Sequence, residues 1–150
     1  MSGQTVYGRS ADLRWRCLPF DALAAPTLYR LLRLRAAVFV VEQNCVFQDM
    51  DGLDASCMHL LGEAVAADGS IRLLASTRLV PPGVAFPEAS IGRVVTDPAH
   101  RGGGIGHALM AESVRQLIAL WGPQPIRIGA QAHLERFYNR HGFVSDDKPY

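Results

Sequence analysis

The chain has 150 residues, 49% of them hydrophobic, and this length suits one packed domain, here residues 1–150, better than two. With 15 basic and 14 acidic residues its formal net charge is +1, so composition predicts no general attraction to nucleic acid or to a membrane surface. No apolar run reaches the roughly 18 residues needed to cross a bilayer, because Arg30, Arg33 and Arg35 interrupt the longest one. Any anion site must therefore be local.

The three cysteines, Cys17, Cys45 and Cys57, are odd in number and lack a Cys-x-x-Cys spacing. The first residues lack the apolar core of a signal peptide, and residues 1–10 are expected to be a flexible leader. These features predict reduced thiols in a cytoplasmic protein.

The N-terminal part predicts a strand, a helix and a loop. Apolar and polar residues alternate from Leu13 to Leu18, which indicates a half-buried strand that ends at Pro19. Leucines and Phe39 then recur at helical intervals and predict a helix from Thr27 to about Val41 that ends near Glu42 and Gln43. Aspartates and a glycine interrupt the pattern over residues 44–56, which are predicted to form a loop.

Three β-rich segments follow. Met58–Ala66 and Ile71–Val80 flank an Asp-Gly pair, which is a strong signal for a hairpin of two antiparallel strands. Three prolines and a glycine then form a rigid connection to a strand over Ser90–Thr96.

The C-terminal part predicts a strand-helix-strand unit. An apolar stripe indicates a helix from Ile105 to Trp121, followed by a strand over Ile126–Ala130 and a short helix over Leu134–Arg140. Such a unit favours a parallel pair of strands with a crossover helix. The predicted fold is α/β, with helices on a mixed sheet that is antiparallel first and then parallel.

The loop before the second helix, Arg101–Gly106, reads Arg-Gly-Gly-Gly-Ile-Gly. Glycines allow close approach of the backbone to an anion, and the N–H groups of a new helix turn point at it. A P-loop is excluded because Gly-Lys-Ser/Thr is absent. The dinucleotide-binding motif Gly-x-Gly-x-x-Gly is also incomplete, because its last position is His107 when counted from Gly102 and Leu109 when counted from Gly104. A tight glycine turn without a ligand is the alternative.

Two motifs resemble those of the GNAT superfamily of N-acetyltransferases. Arg101-x-x-Gly104-x-Gly106 after a strand resembles its acetyl-coenzyme A signature, and Gln131 with Tyr138 seven residues later resembles its second half. Further segments resemble the ElaA-like branch, and together they cover nearly the whole chain from Leu13: residues 38–43, 48–54, 59–61, 91–94 and 130–134.

The resemblance implies a mixed sheet whose two parallel strands splay apart to admit the pantetheine of acetyl-coenzyme A. It implies that backbone groups of Val94, Val95 and Thr96 pair with the cofactor, and that the amides of the glycine loop hold its pyrophosphate while Arg101 adds charge. The implied pyrophosphate residues are Gly102, Gly103, Gly104, Ile105, Gly106 and His107. Arg101 is alternatively a solvated surface residue.

By the same resemblance, Tyr138 lies near the cofactor sulfur and donates a proton as the thiolate leaves. A phenol of pKa about 10 is suited to this because it is not ionised at neutral pH. Gln131 would hold the splayed strand or the cofactor amide. The alternatives are packing of Tyr138 beside Phe137 and a helix cap or surface role for Gln131.

The acceptor amine must be neutral before it attacks, and an alkylammonium has a pKa of about 10.4, so a base is expected. Glu42 and His59 are the candidates, and the aspartates at 49, 51 and 54 could supply negative potential for a cationic substrate. Alternatively, Glu42 caps a helix or pairs with an arginine, and His59 is a satisfied sheet residue.

No metal site is predicted. The aspartates lack the third donor and the distant glutamate of an EF-hand loop, and the histidines form no zinc spacing with cysteine.

The leading hypothesis is acetyl-coenzyme A-dependent acetyl transfer by direct attack of a primary amine, on a small molecule or a peptide, with a possible homodimer. The alternative is a non-catalytic acyl-coenzyme A sensor or interaction module. Relatives usually continue with a further strand after the aspartate-rich tail. Either that strand is missing, and one sheet edge and part of the acceptor side then differ, or this chain is a shortened one.

Overall fold

The structure is a computed structural model that describes residues 13–43 and 48–128. Within these residues five strands form one sheet, and their order across the sheet follows the chain. The strands are β1 (Arg14–Pro19), β2 (Met58–Val65), β3 (Ile71–Val80), β4 (Ala89–Thr96) and β5 (Ile126–Ile128). The helices are α1 (Ala25–Arg35), which a π-helical segment (Ala36–Glu42) continues, and α2 (Ile105–Trp121).

The strand pairing confirms the predicted mixed sheet. The first four strands pair antiparallel with their neighbours, whereas β4 and β5 pair in parallel through three residue pairs, from Ala89 with Ile126 to Ile91 with Ile128. The predicted hairpin joins β2 to β3, with Gly69 at φ +86°. The helix α2 connects the parallel strands, as a crossover requires.

Helices cover both faces of the sheet. On one face, Leu31 and Val38 of α1 and its continuation pack with Leu61 of β2 and Val95 of β4. On the other face α2 contributes to two buried groups, which contain Ile105, Leu109, Met110 and Leu117. Side chains of β4 reach both cores, since Ala89 and Ile91 belong to a group on the α2 side and Val95 belongs to the group on the α1 side.

Element boundaries differ slightly from the predictions. The first helix begins at Ala25 rather than Thr27, because Pro26 fits a first turn, where no N–H partner is needed. It ends near Glu42 as predicted, but its last part is π-helical, with Gln43 N–H donating to Val38 O at 3.0 Å.

The bounds of β3 and α2 agree with the prediction, and β1, β2 and β4 differ by one residue at an end. The predicted last strand is described as far as Ile128, and the predicted leader and last helix lie outside the described residues. Among the described residues, no helix combines the length and apolarity needed to span a membrane.

A bulge interrupts β4 at Arg93. Ser76 pairs with Val95 and Arg78 pairs with Gly92, so two β4 residues, Arg93 and Val94, lie opposite one residue of β3. Arg93 has φ +49° and is the one non-glycine residue with positive φ in the described part of the chain. Such a conformation costs about 1–2 kcal/mol for an L-residue, and no local sequence signal predicts it.

Candidate functional site

The glycine loop lies between the end of β4 and the start of α2. Gly102 has φ +99° and Gly104 has φ +82°, a left-handed conformation that strains any residue with a β-carbon. An added β-carbon at either position would meet no atom within 4 Å, so conformation and not space requires glycine here. The loop therefore needs glycine at these two positions to turn the chain into α2.

The first turn of α2 presents backbone N–H groups. The first hydrogen bond of the helix runs from Ala108 N–H to Gly104 O at 3.1 Å. The amides of Gly104, Ile105 and Gly106 precede that bond and have no carbonyl partner within the helix, and Gly104 supplies no capping side chain. The helix dipole adds positive potential at the same end. This donor set fits a pyrophosphate.

A pocket of about 460 Å³ opens at this helix start. Its lining includes seven of the predicted cofactor residues, Thr96, Arg101, Gly102, Gly104, Ile105, Gly106 and His107. Gly103 is exposed within the same loop. Two site residues predicted by resemblance, Gln131 and Tyr138, lie outside the described residues.

Arg101 and Glu42 form an ion pair beside the pocket. The two guanidinium nitrogens Nη1 and Nη2 donate to the two carboxylate oxygens at 3.0 and 2.8 Å. Arg101 Nε also donates to Thr96 Oγ1 at 3.2 Å. Arg101, which is predicted to bind the pyrophosphate, and Glu42, which is a candidate base, thus contact each other. This contact matches the alternative in which Glu42 pairs with an arginine.

The end of β4 borders the pocket. Val95 is 2% exposed and packs its side chain into the core, whereas Thr96 lines the pocket. Because the described residues of β5 pair with Ala89–Ile91, the edge of β4 from Gly92 to Thr96 faces no described strand. That edge is where the resemblance places the pantetheine.

His59 lies inside the molecule on β2. It is 1% exposed, its Nε2 lies 2.9 Å from Asp54 O, and its ring centroid is 6.1 Å from that of Phe20. Burial lowers the pKa of the imidazole, so the ring is neutral at pH 7. These contacts match the alternative of a satisfied sheet residue.

Arg35, at the end of α1, is 1% exposed and binds two of the loop aspartates. Its Nε donates to Asp49 Oδ2 at 2.9 Å and its Nη1 donates to Asp54 Oδ1 at 2.9 Å. Its Nη2 also donates to Asp49 O at 3.2 Å. The loop is therefore held against the end of α1.

Two further arginines bind the same loop from the sheet. Arg78 of β3 donates to both oxygens of Asp51 at 2.8 and 2.9 Å, and to Asp54 Oδ1 at 3.2 Å. Arg93 of β4 approaches Asp49 Oδ1 at 2.8 Å and Asp51 Oδ2 at 3.3 Å.

The predicted role of the three aspartates in attracting a cationic substrate is wrong for this arrangement. Three guanidinium groups face three carboxylates, so the cluster supplies no net negative potential. The prediction failed because the arginines come from α1, β3 and β4, which are distant in sequence from the loop.

The comparisons with known proteins agree with the mixed sheet and its helices. Residues 58–150, well over half of the chain, match a family model described as an acetyltransferase (GNAT) domain. The chain belongs to the GNAT acetyltransferase family. Within this family it resembles Protein ElaA of Escherichia coli, with 37% identity over 140 residues that cover 92% of this chain and 88% of ElaA.

Solved structures show the same similarity for this GNAT chain. The crystal structure of Escherichia coli ElaA superposes with a TM-score of 0.82 at 38% identity, covering 92% of this chain and 91% of that chain. The crystal structure of an acyl-CoA N-acyltransferase from Pseudomonas aeruginosa also gives 0.82, at 42% identity with 92% of each chain covered. The chain belongs to the ElaA-like branch of the GNAT acetyltransferases.

The two described cysteines of this GNAT chain are unsuited to carrying an acyl group. Burial raises the pKa of the Cys17 thiol and of the Cys57 thiol to about 11. Both thiols are therefore protonated at neutral pH and are weak nucleophiles. This favours direct transfer over a route through either of these thiols.

Replacing Asp51 with asparagine is expected to flatten the acid dependence of stability. Hydrogen bonds from Arg78 lower the pKa of Asp51 from 3.8 to about 2. Between these two pKa values the unfolded chain therefore binds more protons than the native state does. The contribution of Asp51 to the free energy of unfolding is present above pH 3.8 and is lost as the pH falls toward 2. Urea unfolding across this pH range measures the slope.

The exposed carboxylate of Asp21 supplies the control for that measurement. Asp21→Asn should retain the wild-type slope, because Asp21 lies at the surface in the turn after β1. If the pH dependence of unfolding is unchanged in Asp51→Asn, Arg78 does not hold the Asp51 carboxylate ionised.

Proposed function

We propose that this protein is an acetyl-coenzyme A-dependent N-acetyltransferase that transfers the acetyl group to a primary amine by direct attack. The observation that carries the proposal is the pocket at the start of α2, where three consecutive amides without helical partners meet the end of β4. A family of acetyltransferases needs a site for the anionic part of an acyl-coenzyme A, and this pocket has the donors for it.

The proposed roles of the cofactor-binding residues follow from their positions. The amides from Gly102 to His107 would hold the pyrophosphate, and the edge of Val94–Thr96, which faces no described strand, would pair with the pantetheine as an added strand. Arg101 is already oriented by Glu42 and by Thr96, so its guanidinium reaches the pocket wall at little further cost in side-chain entropy. Gln131 would hold the neighbouring strand or the cofactor amide.

The amine must lose a proton before it attacks the thioester carbon. Of the two residues considered as base, Glu42 lies beside the pocket with a side chain 37% exposed, whereas His59 is 1% exposed. The proposal therefore assigns proton acceptance to Glu42 and a structural role to His59. Because Arg101 binds both oxygens of Glu42, acceptance requires that this ion pair loosen.

As the amine attacks, the new C–N bond forms and the C–S bond of the thioester breaks. Backbone N–H of β4 near Val95 would polarise the carbonyl, and the phenol of Tyr138 would protonate the departing thiolate. The products are an amide and coenzyme A. The acceptor class is a small-molecule or peptide primary amine.

Tyr138→Phe is expected to lower kcat roughly tenfold while the Kd for acetyl-coenzyme A stays unchanged. The loss is at the low end for a general acid, because a thiolate of pKa about 8.5 leaves without full protonation. Thiol release across a panel of primary amines gives kcat, and calorimetric titration gives Kd. Tyr29→Phe, at a tyrosine 71% exposed on α1, is the matched control and should retain wild-type values.

Two outcomes would contradict the proposal in different ways. Binding of acetyl-coenzyme A without thiol release for any amine, and no effect of Tyr138→Phe, would favour the sensor or interaction module. An absence of binding by folded protein at millimolar acetyl-coenzyme A would leave the glycine loop as a structural turn.

A further inference from the structure

The bulge of β4 is held by side-chain contacts that the reaction, as described above, does not use. We propose that Arg93 is a positioning residue for acyl transfer: Asp49 and Asp51 anchor its side chain, and this anchor keeps β4 in the bulged path. The inference rests on the proposed function, because it assigns the bulge the task of presenting Val94–Thr96 to the thioester.

The contacts of Arg93 are specific and lie on one loop. Its Nε is 2.8 Å from Asp49 Oδ1, and its Nη2 donates to Asp49 O at 2.9 Å and to Asp51 Oδ2 at 3.3 Å. An arginine fork with two or more oxygen partners has one preferred direction. The side chain therefore stabilises a backbone conformation, φ +49°, that an L-residue otherwise avoids.

The anchoring aspartates are themselves fixed. Asp49 is 9% exposed and accepts a hydrogen bond from Arg35, and Asp51 accepts two from Arg78 on the neighbouring strand. Because Arg35 and Arg78 belong to α1 and β3, the loop is bound to two elements other than β4. These contacts restrain the anchor on the side away from Arg93.

The register of β4 shows what the anchor controls. With the bulge, Val95 pairs with Ser76 and its side chain enters the core, and Thr96 reaches the pocket. Without the extra residue, continuation from the Gly92–Arg78 pair would place Val94 opposite Ser76 and Val95 opposite Ala75. A shift of one residue exchanges the two faces of a strand, so the backbone groups offered to the thioester would change.

A pair of substitutions at Arg93 separates the anchor from the strain. Alanine removes the anchor and keeps a β-carbon that disfavours φ +49°, whereas glycine removes the anchor and accepts that conformation. We expect kcat to fall by roughly tenfold to a hundredfold in Arg93→Ala, because a misplaced contact group has an effect of this order. A smaller loss is expected in Arg93→Gly. Because Val94–Thr96 also pair with the pantetheine in the proposed function, the Kd for coenzyme A should rise as kcat falls, and more in Arg93→Ala than in Arg93→Gly.

Two variants at buried carboxylates test whether Asp49 acts as the anchoring partner of Arg93. Asp49→Asn removes the charge that faces Arg93, and Glu63→Gln removes a carboxylate that is 1% exposed and binds Arg14 and Arg16 at the β1 side of the sheet. Each variant loses the charge of a buried carboxylate that binds arginine, but we expect a lower kcat in Asp49→Asn alone. Hydrogen exchange at Val94–Thr96 should accelerate in Arg93→Ala and in Asp49→Asn, and not in Glu63→Gln.

The proposal is overturned if Arg93→Ala and Asp49→Asn are folded and keep both the wild-type kcat and the wild-type exchange at Val94–Thr96. Equal losses in Asp49→Asn and Glu63→Gln would also overturn it, since they would indicate general destabilisation. If wild-type protein releases no thiol with any amine, the proposed function fails and so does the catalytic role of Arg93. The exchange rates then still decide whether Arg93 holds the bulge.

Discussion

Gly104→Glu is expected to weaken binding of acetyl-coenzyme A by roughly a hundredfold or more. Three effects add at this position. The new carboxylate repels the pyrophosphate, its side chain enters the open space before the first turn of α2, and a β-carbon at φ +82° strains the turn that aims the amides. Calorimetric titration of the folded variant measures the loss.

Gly83→Glu is the control for that titration. Gly83 has φ +84° and open space around an added β-carbon, so the substitution introduces the same charge and a similar strain. It lies in the connection between β3 and β4, at the end of β4 away from the pocket. Gly83→Glu should bind as wild type does. Equal affinity of Gly104→Glu and wild type would exclude the start of α2 as the pyrophosphate site.

Arg35→Met is expected to lower the free energy of unfolding by about 3–5 kcal/mol, the range for removing one partner of a buried ion pair. Arg35 is 1% exposed and binds both Asp49 and Asp54, which are each 9% exposed. Methionine fills a similar volume but leaves the carboxylates with less compensating charge in a poorly solvated place. Urea denaturation with matched protein concentrations measures the change.

An arginine on the surface serves as the reference for Arg35. Arg72 is 53% exposed and pairs with Asp97 at 3.2 Å, so Arg72→Met should change the unfolding free energy by less than about 1 kcal/mol. Adding Asp54→Asn to Arg35→Met should recover part of the loss, because the uncompensated charge is its main cause. If Arg35→Met lowers the free energy of unfolding as little as Arg72→Met does, water must reach the charges around Arg35.

The two predictions concern different parts of the molecule that meet at β4. In these proposals the glycine loop would hold the anionic part of a cofactor beyond the end of the strand, and the arginine–aspartate cluster would hold the bulge three residues before that end. Gly104→Glu should therefore alter affinity, and its loss of stability should be no larger than the backbone strain that it shares with Gly83→Glu. Arg35→Met should alter stability, and through Asp49 it should also loosen Arg93.

Sequence reasoning succeeded where the signal is local. The helix over Ile105–Trp121 was predicted at its observed bounds, because its apolar stripe begins after the glycines and ends before Gly122-Pro123. The Asp68-Gly69 hairpin likewise depends on a turn that only a few adjacent residues specify. The π-helical end of the first helix has no such signal, because the spacing of its apolar residues is compatible with an α-helix.

Sequence reasoning was incomplete for groups whose partners are distant in the chain. The loop aspartates were expected to attract a cation, although each meets an arginine at least 14 positions away along the chain. Arg35, Arg78 and Arg93 were not singled out as functional. The mid-strand placement of Arg78 and Arg93 was a usable signal, since a charged residue in a central strand needs a buried partner.

By itself, the sequence determined the α/β architecture, the place of the glycine loop before α2 and the family to which the chain belongs. These follow from periodicity, turn residues and short motifs, each of which is a local property of the chain. Only the tertiary structure decided that Glu42 meets Arg101, that His59 is buried, and that Arg93 takes a left-handed conformation in a bulge. These features depend on which distant charges and strands come together, and the free energy that selects them arises only when the elements pack.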